Sequence, residues 1–362
     1  MKVAIIHEWL EAFAGSERVL EQMLLTFPDA DLFALCDFLP EGERGFLHGR
    51  VPRTSFIQNL PFARKRFRNY LQLMPIAVEQ FDLQGYDLVL SSSHAVAKGV
   101  ITGPGQRHVS YIHSPMRYAW DLQHQYLRQA GLTRGLKSLY TRWLLHRLRL
   151  WDQASAARPD MLLANSRYIA ERIQKSWRRE AMVLHPPVDL GGFPVRAEKE
   201  DFFLVASRQV PYKRVELVVE AFATLPHRLV VVGDGPSAPL VVAAARGHAN
   251  IELRGRIGQA ELVALTQAAR AFVFAAEEDF GIVMVEAQAA GTPLIVYGRG
   301  GAADIVRPGT GLLFHEQSAA SIRQAVLDFC ARPAPSPADC RANAERFSEA
   351  GFRAALLQHA GG

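Results

Sequence analysis

The sequence predicts an α/β protein built from two doubly wound parallel-sheet domains. Three observations carry that expectation. Short apolar runs alternate with helix-period segments along both halves, the pattern of successive strand–helix units. The string HPPVD at 185–189 breaks the alternation near the middle, where two prolines forbid a helix and stiffen the chain. The length, 362 residues, suits two domains of ordinary size, and a hydrophobic fraction of 49% supplies two cores. The expected domains are 1–186 and 187–337, with the remainder as a terminal helix.

The first element is a strand over 3–7. It leads into a loop over 8–16 that contains Gly15, and then a helix over 17–25. A glycine after the first strand allows close approach of backbone to a ligand. Asp29-Ala-Asp31, ahead of a strand over 32–36, spells the D-x-D string of metal-dependent transferases. Acids in a helix-to-strand turn are ordinary, so no metal is expected. Residues 60–80 interleave Arg64, Lys65, Arg66 and Arg68 with Phe62, Phe67, Tyr70, Leu71, Leu73 and Met74. Pro75 is expected to interrupt any helix there. No nucleic-acid module accompanies this cluster, so nucleic acid is not an expected partner. An interfacial segment and a core helix with a solvated basic face both remain open.

A strand over 86–90 ends in Ser91-Ser-Ser-His94, and another over 108–113 ends at His113. Hydroxyls and imidazoles at strand carboxyl ends sit where open α/β sheets bind ligands. A long helix over 131–157 carries Arg134, Lys137, Arg142, Arg147 and Arg149 among Leu, Tyr and Trp. A strand from Met161 runs into an Asn165-Ser166 cap with a helix from Arg167.

The second half is expected to hold strands at 202–206, 229–232, 251–253, 271–275 and 294–297. Helices are expected at 215–225, 239–246, 260–269, from Gly281, at 302–306, from Ser318 and at 338–357. Arg208 and Lys213 stand five apart in the loop after the strand at 202–206. Two cations so placed clamp a diphosphate, the guanidinium acting as a bidentate fork. EEDFGIVMVEAQAAG, 277–291, follows the strand at 271–275 and sets Glu278 and Glu286 eight positions apart. Glu278 falls in the loop and Glu286 one turn into the helix. Amides at that helix start face phosphate, while the carboxylates accept from sugar hydroxyls. Gly233-Asp-Gly235-Pro-Ser-Ala238 reads formally as G-x-G-x-x-A, which keeps an NAD-dependent enzyme as a competing class. Pro236 removes an amide that would face pyrophosphate.

Composition narrows the setting. No apolar window reaches the length of a membrane span, and the N-terminus reads as a strand, not a signal peptide. Cys36, Cys330 and Cys340 are isolated, which points to a reducing cytoplasm and away from zinc or disulfides. Residues 1–185 hold 24 Lys/Arg against 17 Asp/Glu, a balance of +7, while the rest hold 17 against 19, a balance of −2. A basic first half suits an anionic membrane face or an anionic lipid-linked acceptor, and so peripheral contact with the inner face of the cytoplasmic membrane.

E-x7-E within EEDFGI…VEA.AAGTP.I resembles retaining glycosyltransferases of the large glycogen-synthase-like and mannosyltransferase-like family, glycosyltransferase family 4, which has the GT-B fold. The resemblance covers nearly the whole chain. It implies two Rossmann-like domains facing each other, with a helix over 338–362 crossing back to the first. HSPMRYAWD, 113–121, resembles a segment of bacterial surface-polysaccharide transferases, often mannosyltransferases. That implies His113 against donor sugar and acceptor, donating to a sugar hydroxyl or to developing charge, with Arg117, Tyr118, Trp120 and Asp121 shaping the acceptor site. The family's paired-glycine loop matches Gly15-Ser16, one glycine short, with Ser16 in the second place. Arg208 and Lys213 match the family's diphosphate cations, and Gly233 lies in its GDGP loop. Backbone at Arg256-Ile257 would meet the base. Glu278 with the amides of Phe280, Gly281 and Ile282 would hold the donor sugar, and Glu286 the ribose. Gly298–Gly301 and the segment 309–314 echo family loops, though Ala303-Asp304 replaces the usual pair ending in Glu.

The resemblance implies a metal-independent hexosyltransferase, using GDP-mannose as donor and a glycan or lipid-linked oligosaccharide as acceptor. A UDP- or ADP-sugar-dependent glucosyl- or galactosyltransferase is the alternative donor reading. A non-catalytic nucleotide-sugar-binding protein is the alternative class.

Overall fold

Strand β1 (Val3–His7) is buried at every residue and sits inside a seven-stranded parallel sheet. Its alternate side chains enter two different cores. Val3 and Ile5 pack with Leu88, Leu90 and Val109 on one face, and Ala4 and Ile6 with Phe33, Val89 and Met116 on the other. This two-sided burial is what makes strands of doubly wound sheets read as continuous apolar runs. The computed structural model describes residues 1–361. The chain divides into two units, 1–187 with 352–362, and 188–351.

In the first unit the remaining strands are β2 (Asp31–Ala34), β3 (Arg53–Thr54), β4 (Leu88–Ser93), β5 (Arg107–Ile112), β6 (Met161–Ala164) and β7 (Met182–Val183). Their order is β3-β2-β1-β4-β5-β6-β7. In the second unit β8 (Phe202–Ala206), β9 (Arg228–Val232), β10 (Ile251–Gly255), β11 (Ala271–Phe274), β12 (Leu294–Tyr297) and β13 (Gly311–Phe314) are ordered β10-β9-β8-β11-β12-β13. Phe202, Leu204 and Ala206 face one core there, Phe203 and Val205 the other. All pairings in both sheets are parallel.

Three expectations are corrected. The strand placed at 86–90 runs on through Ser93, because Ser91 bonds to Ser110 Oγ at 2.7 Å and His108 Nε2 at 2.9 Å. Paired hydroxyls are tolerated in a buried strand. Pro75 does not interrupt a helix; it lies in the first turn of Met74–Glu79, where its missing N–H costs nothing. The helix placed at 338–357 is two helices, Pro337–Ala344 and Glu349–Gly361. Val188 draws the chain out of helix by taking the Phe347 carbonyl at 2.9 Å and bridging Ser348. Strands β3, β7 and β13 lay outside the sequence reading.

Candidate functional site

A doubly wound sheet binds ligands at the carboxyl ends of its strands where the strand order reverses. In the first unit that point lies between β1 and β4, in the second between β8 and β11.

His7 closes β1 in register with Ser92 of β4. Its Nδ1 lies 3.1 Å from Ser92 Oγ, and the same hydroxyl lies 2.9 Å from His113 Nε2. His7 Nε2 lies 3.3 Å from Glu17 Oε1. Glu17 reaches back from the third position of helix Gly15–Thr26, where its Oε2 accepts from Ala14 N at 3.0 Å and Ser16 Oγ at 2.9 Å. Burial alone would raise the Glu17 pKa, but hydrogen bonding and charge from His7, aided by backbone and Ser16, bring it down to about 2. His113, half-buried, is pushed down to about 3 by burial and by neighbouring His94 and His7, so its imidazole is neutral. The Ser16 hydroxyl, expected near phosphate, is thus engaged with Glu17, and Gly15 opens the helix.

Glu8 anchors the floor of this site. Its fully buried carboxylate accepts from Ser93 Oγ and the amides of His94, Ala95, Val96 and Ala97, at 2.7–3.0 Å. Burial pulls its pKa up, but His94 and these amides outweigh that and leave it lowered. Five donors on one carboxylate fix the turn that follows β4.

The HSPMRYAWD string is partly turned inward. Met116 and Ala119 enter the core. Trp120 Nε1 donates to Asp152 Oδ2 at 2.7 Å, and the same carboxylate takes Trp177 Nε1 at 2.7 Å and Lys98 Nζ at 2.5 Å. Asp121 accepts from Arg172 at 2.5 Å. Trp120 and Asp121 therefore tie the string to helices Leu136–Ser155 and Arg167–Trp177. Arg117 and Tyr118 stay half-buried, and burial raises the Tyr118 hydroxyl. Asp31 of the D-x-D string accepts from Tyr86 Oη at 2.5 Å and faces Arg53, a structural use.

In the second unit, Lys213 and Glu278 are joined in an ion pair, both side chains largely buried. Lys213 leaves the loop after β8 and Glu278 the loop after β11, so the pair spans the reversal point. The ammonium also sits 5.1 Å from the Phe274 ring centroid. Arg208, in the same loop as Lys213, is exposed, and its guanidinium takes no partner among the described residues. Helix Ile282–Ala289 starts at Gly281, which has φ +95° and no side-chain cap. Glu286 lies half-buried in its second turn.

Glycines shape this site by letting loops touch. Gly233 has φ +120°, and a β-carbon there would overlap the Ser207 carbonyl oxygen. The GDGP loop is thus packed on the Arg208 loop, with Gln209 N donating to the Asp234 carbonyl at 2.8 Å. That contact accounts for glycine at 233, as the approach of the Gln209 carbonyl does for glycine at 235. Gly301 likewise lies flat on Phe280, and its N–H donates to the Glu278 carbonyl at 2.9 Å. Arg256 is exposed beyond β10, while Ile257 packs against the core.

Sequence reasoning singled out His113, Arg208, Lys213, Glu278 and Glu286, and placed Ser92 at a ligand-binding strand end, but missed His7, Glu8 and Glu17 as site residues. For His7 and Glu8 the sequence signal was polar character at the end of an otherwise apolar strand, and for Glu17 an acid in the first turn of a helix.

Two doubly wound units, each with polar side chains gathered at its reversal point, define the class: the GT-B fold. The lipopolysaccharide outer core galactosyltransferase WaaB superposes with a TM-score of 0.67 at 18% identity, covering 98% of each chain. Anabaena Alr3699/HepE in complex with UDP-glucose gives 0.67 at 15% identity over 99% of each chain. At such identities the likeness establishes the fold. Residues 15–191 match the Glycosyltransferase Family 4 domain and 193–347 the Glycosyl transferases group 1 domain. The chain belongs to the family-4-like glycosyltransferases of the GT-B fold. Among curated proteins it is 28% identical over 217 residues to D-rhamnosyltransferase WbpZ of Pseudomonas aeruginosa, covering 55% of this chain and 54% of the relative. It is 34% identical over 153 residues to D-inositol 3-phosphate glycosyltransferase of Streptomyces coelicolor, covering 37% and 34%. The matches thus span about half or less of these relatives' length.

Proposed function

We propose that the protein transfers a hexose from a nucleoside diphosphate to a hydroxyl of a glycan or lipid-linked acceptor, with retention and without a metal. The observation that carries this reading is the Lys213–Glu278 pair beside exposed Arg208 at the β8/β11 reversal point. A donor diphosphate draws Lys213 off Glu278 and joins it to Arg208. The released carboxylate then accepts from sugar hydroxyls beside the amides of Phe280, Gly281 and Ile282. Glu286 takes the ribose hydroxyls. As the bond from the anomeric carbon to the leaving phosphate breaks, the two cations stabilise the growing charge. The acceptor oxygen bonds to the same face of that carbon, and its proton passes to the leaving phosphate. No carboxylate pair serves as nucleophile and acid, unlike retaining glycosidases.

GDP-mannose is the first donor reading, resting on HSPMRYAWD. A UDP-hexose is the second, favoured by the named UDP-glucose complex of a structural neighbour. Incubation of purified protein with GDP-mannose, UDP-glucose, UDP-galactose and ADP-glucose, with release of nucleoside diphosphate as readout, tests both. Turnover of one donor that is lost in Lys213→Ala supports the transferase. Binding with no turnover of any donor assigns the chain to the non-catalytic class.

A lipid-linked acceptor places the protein on a cytoplasmic membrane face. Leu136, Leu139, Tyr140 and Trp143 stand exposed at i, i+3, i+4 and i+7 of helix Leu136–Ser155. Residues 122–151 contain six Lys/Arg and no acid. Tyr140 Oη bonds to Gln72 at 2.5 Å, joining this stripe to the basic segment around Arg64–Arg66. An apolar stripe ringed by cations suits an anionic bilayer. Among the described residues no helix is long and apolar enough to cross one. Co-sedimentation with phosphatidylglycerol vesicles that persists unchanged in Leu139→Asp/Trp143→Ala removes this surface from the proposal.

A further inference from the structure

The first unit contains a continuous chain of side chains, Glu17, His7 and Ser92, that no role above uses and that ends on His113. We propose that Glu17, acting through His7 and Ser92, fixes His113 in the tautomer protonated on Nε2, so that Nδ1 faces substrate as a hydrogen-bond acceptor. Glu17, His7 and Ser92 are positioning residues. The part assigned to substrate rests on the transferase reading of His113; the tautomer does not.

The direction of the chain follows from counting protons. Glu17 Oε2 accepts from Ala14 N and Ser16 Oγ, and Oε1 faces His7 Nε2. An ionised carboxylate only accepts, so His7 carries a proton on Nε2. The proposal takes His7, fully buried between Glu17 and Ser92, as the neutral ring holding this one proton. With one proton, its Nδ1 is an acceptor and takes the Ser92 hydroxyl hydrogen at 3.1 Å. A hydroxyl has only one hydrogen. Having given it to His7, Ser92 Oγ can only accept from its other neighbour, His113 Nε2 at 2.9 Å. His113 therefore holds its hydrogen on Nε2, and because burial keeps the ring neutral, Nδ1 is a lone pair.

The remaining geometry leaves that lone pair available. His113 is half-buried, and among the described residues Nδ1 takes no hydrogen bond. The Asn165 amide fixes the backbone by donating to the His113 carbonyl at 2.9 Å. The adjacent Tyr111 hydroxyl does not compete, since it donates to the Leu184 carbonyl at 3.0 Å. A neutral imidazole presenting a lone pair binds a sugar hydroxyl hydrogen and repels a phosphate oxygen. On this proposal His113 receives a substrate hydrogen instead of donating one.

Glu17→Gln makes a sharp test. The Oε2 position faces the Ala14 N–H, which cannot accept, so the amide oxygen must sit there and the amide nitrogen must face His7. His7 then accepts on Nε2 and moves its hydrogen to Nδ1, the Ser92 hydroxyl reverses, and His113 becomes Nδ1-protonated. Long-range proton–nitrogen NMR on 15N-histidine-labelled full-length protein at pH 8 reads each tautomer, with signals assigned by their loss in His7→Gln and His113→Asn.

We expect Nε2–H for His7 and His113 in the wild type and Nδ1–H for both in Glu17→Gln. In Ser92→Ala, His7 stays Nε2–H while His113 becomes a mixture. Nδ1–H at His113 in the wild type, a doubly protonated His7, or unchanged tautomers in Glu17→Gln overturns the proposal. If Glu17→Gln does not fold, the wild-type and Ser92→Ala spectra decide. Catalytically, Glu17→Gln should lower kcat/KM about tenfold, with nucleoside-diphosphate affinity unchanged. Tautomers as expected in a protein that transfers no sugar would leave this inference standing and remove only the transferase reading.

Discussion

The two reversal points are built by opposite means. In the first unit the site is made of side chains locked inside the sheet. Glu8 takes five donors, and Glu17, His7, Ser92 and His113 form one continuous chain. In the second unit it is made of loops that touch through glycines, and the Lys213–Glu278 charge pair joins two separate loops. A network satisfied by its own residues stays as built when a ligand arrives. An ion pair between loops exchanges partners when a stronger anion enters, because a diphosphate offers Lys213 more charge than one carboxylate does. On the proposed function, the difference separates a pre-formed half from a half that rearranges on binding.

Removing the Glu8 carboxylate should strike the pre-formed half hardest. Glu8→Ala strands several buried N–H groups and should cost about 3–5 kcal/mol in denaturant unfolding. A loss below about 1 kcal/mol would mean that water replaces the carboxylate and that the site is not internally locked. In the second unit, Lys213→Ala should lower kcat by roughly 100- to 1,000-fold while leaving unfolding nearly unchanged. Comparable losses in stability and turnover would make the pair structural, like its counterpart Lys98–Asp152 in the first unit. Gly300 has φ +69°, and a β-carbon there would overlap the Glu278 carbonyl oxygen. Gly300→Ala should therefore cost about 2–3 kcal/mol and raise the donor KM, which steady-state kinetics with the active donor would check.

The contrast also extends to pH. Burial holds His108 down at about 4 and His113 at about 3, from 6.5. Their folded values lie below the unfolded value, so the unfolded chain binds more protons between these limits. The stability they contribute is present above pH 6.5 and is lost as pH falls through that window, by about 1.4 kcal/mol per pH unit for each histidine. Glu17 follows in a lower window, from 4.5 towards about 2. His108→Gln and His113→Gln should each flatten the slope of stability between pH 6.5 and 4; equal slopes in wild type and variants would refute the assignment.

The same contrast explains what the sequence made legible. Strands β1, β8 and β12 were read to the residue, since each is an apolar run of strand length between turn signals. The second unit's candidate residues were readable because Arg208 and Lys213 share one loop, and Glu278 and Glu286 one strand-to-helix turn. The first unit's network was not, because Glu8, Glu17, Ser92 and His113 are brought together only by pairing β1 with β4 and β4 with β5. His113 was found through its motif and Ser92 through its place at a strand end, while the two glutamates were not. Strands β3 and β7 have two residues each and carry no periodicity to detect. The split between Pro337–Ala344 and Glu349–Gly361 depends on Val188, far away in sequence.

Calorimetric titration of the active donor's nucleoside diphosphate into wild type and Lys213→Ala tests the central claim most directly. Exchange of Lys213 from Glu278 to diphosphate calls for affinity at least tenfold weaker in the variant, with the corresponding nucleoside, lacking phosphates, binding both proteins alike. Equal diphosphate affinity in the two proteins would contradict the account.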